Sequence, residues 1–362
     1  MSAPEQPDTE ARDLLAALSA AISDPDASAR EAATARWDEL AKPPGALGRL
    51  EQIGAWVAAV QGRCPPLPIE DVRVVVMAGD HGIAASGVSA YPPTVTAAMV
   101  RTMAAGGAAV NVLARQVGAT VTVLDLSVDD DLDDLGPSVG RHKVRRGTEP
   151  MDVTDAMSPQ QSLQAFRAGQ AVADEAVDSG AALLVLGDMG IANTTPASAL
   201  VALLTRSEVV DVVGRGSGID DEAWMRKAAA IRDAMFRAKP ALGDPIDLLA
   251  ATTGPDIAAM AGFVTQAAVR RTPVVLDGLV SSSAALVAQR ISFRAPRWFV
   301  AGHLSGEPAH ARALDRLGLT PLLDVSVRLG EGAGALLAVP LVQAAAVLLA
   351  DMSALEDVLP PG

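Results

Sequence analysis

The sequence predicts an α/β fold on a mostly parallel sheet, and three observations carry that prediction. Short β-branched runs alternate with long helical patterns, which demands crossover connections and so favours parallel pairing. The runs are continuously apolar, as in VVVM (Val74–Met77) and LLVL (Leu183–Leu186), which suits strands buried on both faces. Half of the 362 residues are hydrophobic and 20% are charged, so a large core can form and general disorder is excluded.

The elements follow in order. Leu14, Leu15, Leu18 and Ile22 recur at helical spacing. Trp37, Leu40, Leu47, Leu50, Ile53 and Val57 continue the pattern around a break at Pro43-Pro44-Gly45. Strands are expected at Val72–Met77, Thr120–Leu124, Ala182–Leu186, Pro273–Leu276 and Arg297–Ala301, with Leu322–Val325 a candidate sixth. The segment Ala333–Ala350 is long enough to span a membrane. It is Ala-rich, however, holds Gly334, Pro340 and Gln343, and lies between Glu331 and Asp351. It reads as a buried helix. No strand follows it, so it should pack with the N-terminal helices. Residues 1–65 plus 330–362 are expected to form a smaller helical domain, and 66–329 the α/β domain.

Charge and composition narrow the partners. There are 29 basic and 43 acidic residues, a net charge of −14, which repels a phosphate backbone. Four Trp, one Tyr and five Phe are too few for a base-stacking platform. Nucleic acid is therefore not an expected partner. The lone Cys64 excludes an intrachain disulfide framework and fits a reducing cytoplasm. The start, MSAPEQPDTEARD, lacks the basic and apolar regions of a signal peptide. A cytoplasmic protein without a membrane partner is the expectation.

Ligands of open parallel sheets bind at the carboxyl ends of the strands. The first expected strand is followed by Gly79-Asp80-His81-Gly82, and the third by Gly187-Asp188-Met189-Gly190 and then Asn193-Thr194-Thr195. The Pro273 strand ends in Asp277-Gly278, and the last in Gly302-His303-Leu304-Ser305. One such end is an ordinary turn; four on one edge point to a site. Asn193–Pro196 opens a helix, and its free N–H groups suit either a phosphate or a simple cap. Gly216 and Ser217 belong to a second donor-rich loop, Gly214–Gly218, with Lys227 nearby in sequence as a point charge. That loop matches neither the dinucleotide fingerprint nor a Walker loop. Glu331, between Gly330 and Gly332, either stabilises a helix N-terminus or serves as a general base. His81 is either a hydrogen-bonded turn residue or a catalyst. The acidic run Asp129–Asp134 reads as a solvated loop, and the spacing of His303, Glu307 and His310 implies no complete metal site. Neither a metal nor a cofactor is expected.

Six segments resemble one family. They are KPPGALGRLE (Lys42–Glu51), MAGDHGI (Met77–Ile83), GDMGIANTTPASAL (Gly187–Leu200), VVLDGLVSS (Val274–Ser282), GHLSGEPAH (Gly302–His310) and RLGEGAGALLAVPLVQAA (Arg328–Ala345). In this order and coverage the chain resembles the nicotinate-nucleotide–dimethylbenzimidazole phosphoribosyltransferases of cobalamin biosynthesis. The resemblance implies a Rossmann-like α/β domain with a small helical domain, working as a homodimer. It implies transfer of phosphoribose from nicotinate mononucleotide to 5,6-dimethylbenzimidazole. The family base maps onto Glu331, a second carboxylate onto Asp188, and a lysine near the sugar phosphate onto Lys227. Asp188 is one methylene shorter than the usual Glu. Tyr91 and Met99 stand where some relatives carry a Ser and a Gln against the benzimidazole. The expected substrate contacts are Asp80, His81, Tyr91, Met99, Gly187, Gly190, Asn193, Thr194, Gly216, Ser217, Lys227, Asp277, Ser305, Leu329 and Gly330. The alternatives are a different acceptor (adenine, another benzimidazole or a phenol) and a non-catalytic nucleotide-binding protein that kept the pocket.

Overall fold

Five of the apolar runs pair as parallel strands in a computed structural model that describes residues 7–358. They are β1 (Val72–Gly79), β2 (Thr120–Ser127), β3 (Leu183–Met189), β4 (Val274–Leu276) and β5 (Phe299–Ala301). Their order in the sheet is β2-β1-β3-β4-β5. Val74 faces Val121 on one side and Val185 on the other, and Val274 faces Leu184 and Phe299. The order reverses between β1 and β3. A crevice opens there at the carboxyl ends, where such sheets hold ligands.

The first three strands run further than the apolar pattern predicts. Polar ends are drawn into the ladder because their neighbours pair: Ala78 with Met189, and Gly79 with Ser127. β5 starts at Phe299, since Ala295–Trp298 is a 3₁₀ turn. The sixth run, Leu322–Val325, does not form a strand. It makes only a parallel bridge between His303 and Leu323. Asp324 interrupts its apolar run and Val325 is exposed, so little of it joins the core.

Helices cover both faces. One face carries Pro159–Asp178, Pro255–Val269 and Leu279–Ile291, joined by Leu15, Leu18 and Ile22 from the N-terminal end of the chain. Two glycines let the first two of these helices touch backbone to backbone. A Cβ at Gly169 would lie 1.8 Å from the Ala259 oxygen, and one at Gly262 1.9 Å from the Phe166 oxygen. The other face carries Ile53 and Val57, Ala97 and Val100, and Leu336, Val339 and Val342.

The last helix, Ala333–Asp351, belongs to two layers. Leu336 and Val339 pack on the sheet, while Leu349 joins Ala33, Trp37, Leu40, Ala55 and Ala58 in a helical cluster. Arg36 donates to the Leu349 and Ala350 carbonyls, groups that a helix C-terminus otherwise leaves open. Among the described residues two stretches, Thr94–Val117 and Ala333–Asp351, are long and apolar enough to cross a membrane. The first divides into Thr94–Ala104 and Ala109–Val117, and the second is packed as just described. The Asp129–Asp134 loop is tied down by ion pairs from Arg101 to Asp130 and Asp134 and from Arg146 to Asp131.

Candidate active site

A cavity of about 670 Å³ lies at the carboxyl edge of the sheet. Its floor is Asp188–Thr194 from the end of β3 onward, Gly278–Val280 after β4, and His303, Ser305 and Glu307 after β5. Gly216, Ser217 and Arg328–Glu331 close over it, and Val88, Tyr91, Val95 and Met99 form one side.

Glu331 occupies an unusual backbone. Gly330, Glu331 and Gly332 all have positive φ, at 84°, 64° and 88°. Glycine takes this region freely, whereas a glutamate there is strained. The turn is held from two sides. Glu331 N donates to the Asp188 carbonyl oxygen (3.1 Å). Asp277 accepts from Gly332 N (3.3 Å) and Ala335 N (2.8 Å). Gly187 makes the approach possible, because a Cβ there would lie 2.3 Å from the Glu331 oxygen. The carboxylate is buried, and Oε2 accepts from Val110 N at 3.4 Å. Glu331 thus meets the first turn of the helix Ala109–Val117, while Asp277 serves the helix that follows Glu331 in sequence. Burial pushes the Glu331 carboxyl above the ordinary value; the Val110 N–H opposes this and Asp277 adds to it.

Asp188 sits beside it. Its Oδ2 accepts from Asn193 Nδ2 at 2.8 Å, and Gly330 lies against the carboxylate. Burial, reinforced by the charges of Asp277, Asp256 and Glu331 and opposed by Asn193, pushes its pKa up to about 7. A buried carboxyl near neutrality is the kind of group that active sites concentrate.

The other end of the cavity is rich in donors. The helix Thr194–Thr205 starts without a side-chain cap; in its first turn Thr195 N donates to the Ala192 oxygen at 2.9 Å and Pro196 carries no N–H, which leaves Thr194 N as the open donor. Lys227 Nζ donates to Thr194 Oγ1 at 2.8 Å. Lys227 is fully buried; burial holds its pKa below the ordinary lysine value, with Glu307 opposing. Glu307 Oε1 accepts from Gly216 N (2.8 Å), and Arg328 Nη1 donates to Gly216 O (2.9 Å). Ser217 Oγ accepts from Ala90 N (2.9 Å). The Gly214–Gly218 loop is therefore folded over the start of the Thr194 helix.

Twelve predicted residues line the cavity: Glu331, Asp188, Tyr91, Met99, Gly190, Asn193, Thr194, Gly216, Ser217, Ser305, Leu329 and Gly330. Asp80, His81, Gly187, Lys227 and Asp277 stand behind its wall. His81 Nε2 lies 3.0 Å from Asp256 Oδ2, both buried. Burial disfavours the charged ring, but Asp256, then Asp80 and Asp188, carry its pKa above the ordinary value. Asp80 accepts from Asp129 N. Tyr91 is 57% exposed at the rim. Sequence reading missed the contributions of Arg328, Val88 and Asp256. Arg328 opens the RLGEG segment and was legible there; Asp256 lies 175 residues from its partner His81 and left no local signal. Among the described residues no group of three or more His, Cys, Asp or Glu side chains is placed to hold a metal ion; Glu307 Oε1 accepts from Gly216 N, and His310 Nδ1 is 2.9 Å from Ser305 Oγ.

The family described as phosphoribosyltransferase matches residues 22–358. The chain is 55% identical over 338 residues, 93% of each chain, to the Mycobacterium tuberculosis protein named nicotinate-nucleotide–dimethylbenzimidazole phosphoribosyltransferase. The chain belongs to the nicotinate-nucleotide–dimethylbenzimidazole phosphoribosyltransferase family. A Mycobacterium avium relative of that name is 55% identical over 334 residues, covering 92% of this chain and 95% of its own. The crystal structure of the Thermus thermophilus member superposes with a TM-score of 0.87 at 41% identity, covering 93% of this chain and all of that one. As a member of this phosphoribosyltransferase family, the chain places two buried carboxylates and a donor-rich loop around one cavity.

Proposed function

We propose that the chain transfers phosphoribose from nicotinate mononucleotide to 5,6-dimethylbenzimidazole. The products are α-ribazole 5′-phosphate and nicotinate, in the branch of cobalamin biosynthesis that makes the lower nucleotide. The names of its relatives support this reading. The observation that carries it is the buried Glu331 carboxylate on the cavity wall beside Asp188, with Thr194, Gly216 and Lys227 gathered at the other end.

The chemistry suits these groups. Nicotinate leaves with the C1′–N electron pair on its ring nitrogen, so its departure needs neither a proton nor a metal. One azole nitrogen attacks C1′ from the opposite face, turning a β-nucleotide into an α-nucleotide. The ring becomes cationic and its other N–H becomes acidic. Glu331, its carboxyl raised by burial, accepts that proton. Ionised Asp188 stabilises the positive charge that develops on the sugar. Val95, Met99 and Leu329 offer the flat acceptor an apolar wall. The donor-rich end takes the 5′-phosphate through the Thr194 helix start and the Gly216 loop.

The same reading has the enzyme acting in the cytoplasm as a homodimer. Leu337 and Val347 on the last helix, and Val112 on a helix packed against it, are exposed and offer an apolar face to a second copy; the solution mass tests this. The central experiment is mass analysis after mixing pure protein with nicotinate mononucleotide and 5,6-dimethylbenzimidazole. α-Ribazole 5′-phosphate is expected. Transfer only to adenine, a phenol or another benzimidazole would move the reading to that acceptor. No turnover with any acceptor would leave a nucleotide-binding protein.

A further inference from the structure

Among the described residues, the cavity lining carries the carboxylates of Asp188, Glu307 and Glu331 and a single cationic side chain, Arg328. Arg328 is exposed. Its Nη1 donates to the Gly216 carbonyl oxygen at 2.9 Å. Among the described residues it makes no other hydrogen bond and no ion pair, so the rest of its N–H fork is open. Gly216 is also where a second cation arrives. A Cβ there would lie 3.0 Å from Thr194 Oγ1 and 3.2 Å from Lys227 Nζ. A Cβ at Gly218 would lie 3.9 Å from Arg328 Nη1 and 4.0 Å from Nη2. The loop thus runs between an ammonium and a guanidinium, and Glu307 is the carboxylate bonded to Gly216. Lys227 is fully buried behind the wall, with its Nζ engaged by Thr194. Arg328 is the cation of the pair that a ligand in the cavity can reach.

We propose that Arg328 is a substrate-binding residue whose guanidinium takes the 5′-phosphate of the nucleotide donor. The proposal rests on the function inferred above. Its argument is a match of charges. Nicotinate mononucleotide carries a pyridinium cation, a ring carboxylate and a phosphate of about two negative charges at neutral pH. The pyridinium belongs with Asp188 and Glu331, where C1′ reacts, and the ring carboxylate travels with it. The phosphate is the anion left for the Gly216 end. Set among the lining carboxylates without a countercharge, it would be repelled. A guanidinium offers phosphate oxygens two parallel N–H bonds, which a buried ammonium behind the wall does not. The Gly216 oxygen already holds the guanidinium in place, so binding costs less side-chain freedom.

The test compares three donors, with dimethylbenzimidazole as acceptor: nicotinate mononucleotide, nicotinate riboside, which lacks the phosphate, and nicotinamide mononucleotide, which lacks the ring carboxylate. The readout is kcat/KM for release of the pyridine base by wild type and Arg328→Gln. On nicotinate mononucleotide the variant is expected to lose about tenfold or more. On the riboside it should lose no more than about twofold. On nicotinamide mononucleotide it should lose as much as on the natural donor. The intrinsic reactivity of each donor is common to both proteins and cancels in the ratio. A purely structural role slows all three donors by one factor, so equal losses overturn the proposal, as does no loss on any. A loss that persists on the riboside and vanishes on nicotinamide mononucleotide also overturns it, because the ring carboxylate is then the partner. Inorganic phosphate gives a second readout that needs no riboside turnover. It should compete with nicotinate mononucleotide and inhibit Arg328→Gln about tenfold more weakly than wild type; equal inhibition overturns the proposal. If Arg328→Gln does not fold, Arg328→Lys keeps the charge without the planar fork and gives the same comparisons with a smaller loss. A wild-type enzyme that releases no nicotinate from the natural nucleotide instead overturns the proposed function itself.

Discussion

Asp188 should make the folded protein less stable as pH rises from acid to neutral, against the usual trend for a carboxylate. An ordinary aspartate titrates at 3.8, and this one is pushed up to about 7. Folding therefore favours its protonated form. The associated stability is fully present below about pH 4 and is lost as pH rises towards 7. At about 1.4 kcal/mol per pH unit, the whole effect is about 4 kcal/mol, of which about 3 kcal/mol falls above pH 5. The cause is structural. The carboxyl is buried, three further acidic groups surround it, and the Asn193 amide returns only one hydrogen bond to the charge. Asp188→Asn has the same shape and cannot ionise. Urea unfolding of both proteins at pH 5 and pH 8 isolates the term. Wild type should lose about 3 kcal/mol more than the variant between the two. Parallel profiles would show that the carboxyl is not destabilised by its site. A bound pyridinium should reverse the balance by favouring the ionised form. Nicotinate mononucleotide should then release a proton on binding near neutral pH, visible as a buffer-dependent binding enthalpy.

Further outcomes follow from the same geometry. Glu331→Gln should cut turnover by ~10²–10⁴-fold with unfolding unchanged, because an amide cannot take the azole proton; near-wild-type rates would remove Glu331 as the base. Gly187→Ala should lower both stability, by about 1–3 kcal/mol, and turnover, because its Cβ meets the Glu331 backbone oxygen at 2.3 Å; denaturation and kinetics of one preparation test both. Asp188→Glu should stay within about tenfold of wild-type activity, a barrier change of about 1.4 kcal/mol, and Asp188→Ala should be slower than Asp188→Glu. Activity should survive chelator treatment, since a pyridinium leaving group requires no Lewis acid; loss that only a divalent ion restores would refute this.

The strand count and the ligand edge were legible because they rest on short-range patterns. VVVM and LLVL are short, β-branched and apolar over consecutive residues, which suits strands covered on both faces. Glycine with a polar residue after four of them marked the carboxyl edge. The pattern failed at strand limits, since Gly79, Ser127 and Met189 join the ladder through neighbours that periodicity does not see. It failed at Leu322–Val325 for a related reason: a β-like run beyond the sheet edge finds little cover.

Sequence by itself determined the chemical inventory: which carboxylates, lysines and histidines stand after which strand, and that Glu331 lies between two glycines. The segments that carry the family resemblance are local in the same way. Tertiary structure alone decided how those groups share one space. Glu331 meets Val110 across 221 residues, and Lys227 meets Thr194 across 33. Asp277 anchors the turn that aims Glu331, and Gly334 leaves the room into which His303 fits. None of these pairings has a signature along the chain, because each is a contact between elements brought together by packing. The state of Asp188 is the sharpest case: the residue is written in the sequence, but its displacement to about 7 comes from burial and from acidic neighbours on a distant helix and two loops.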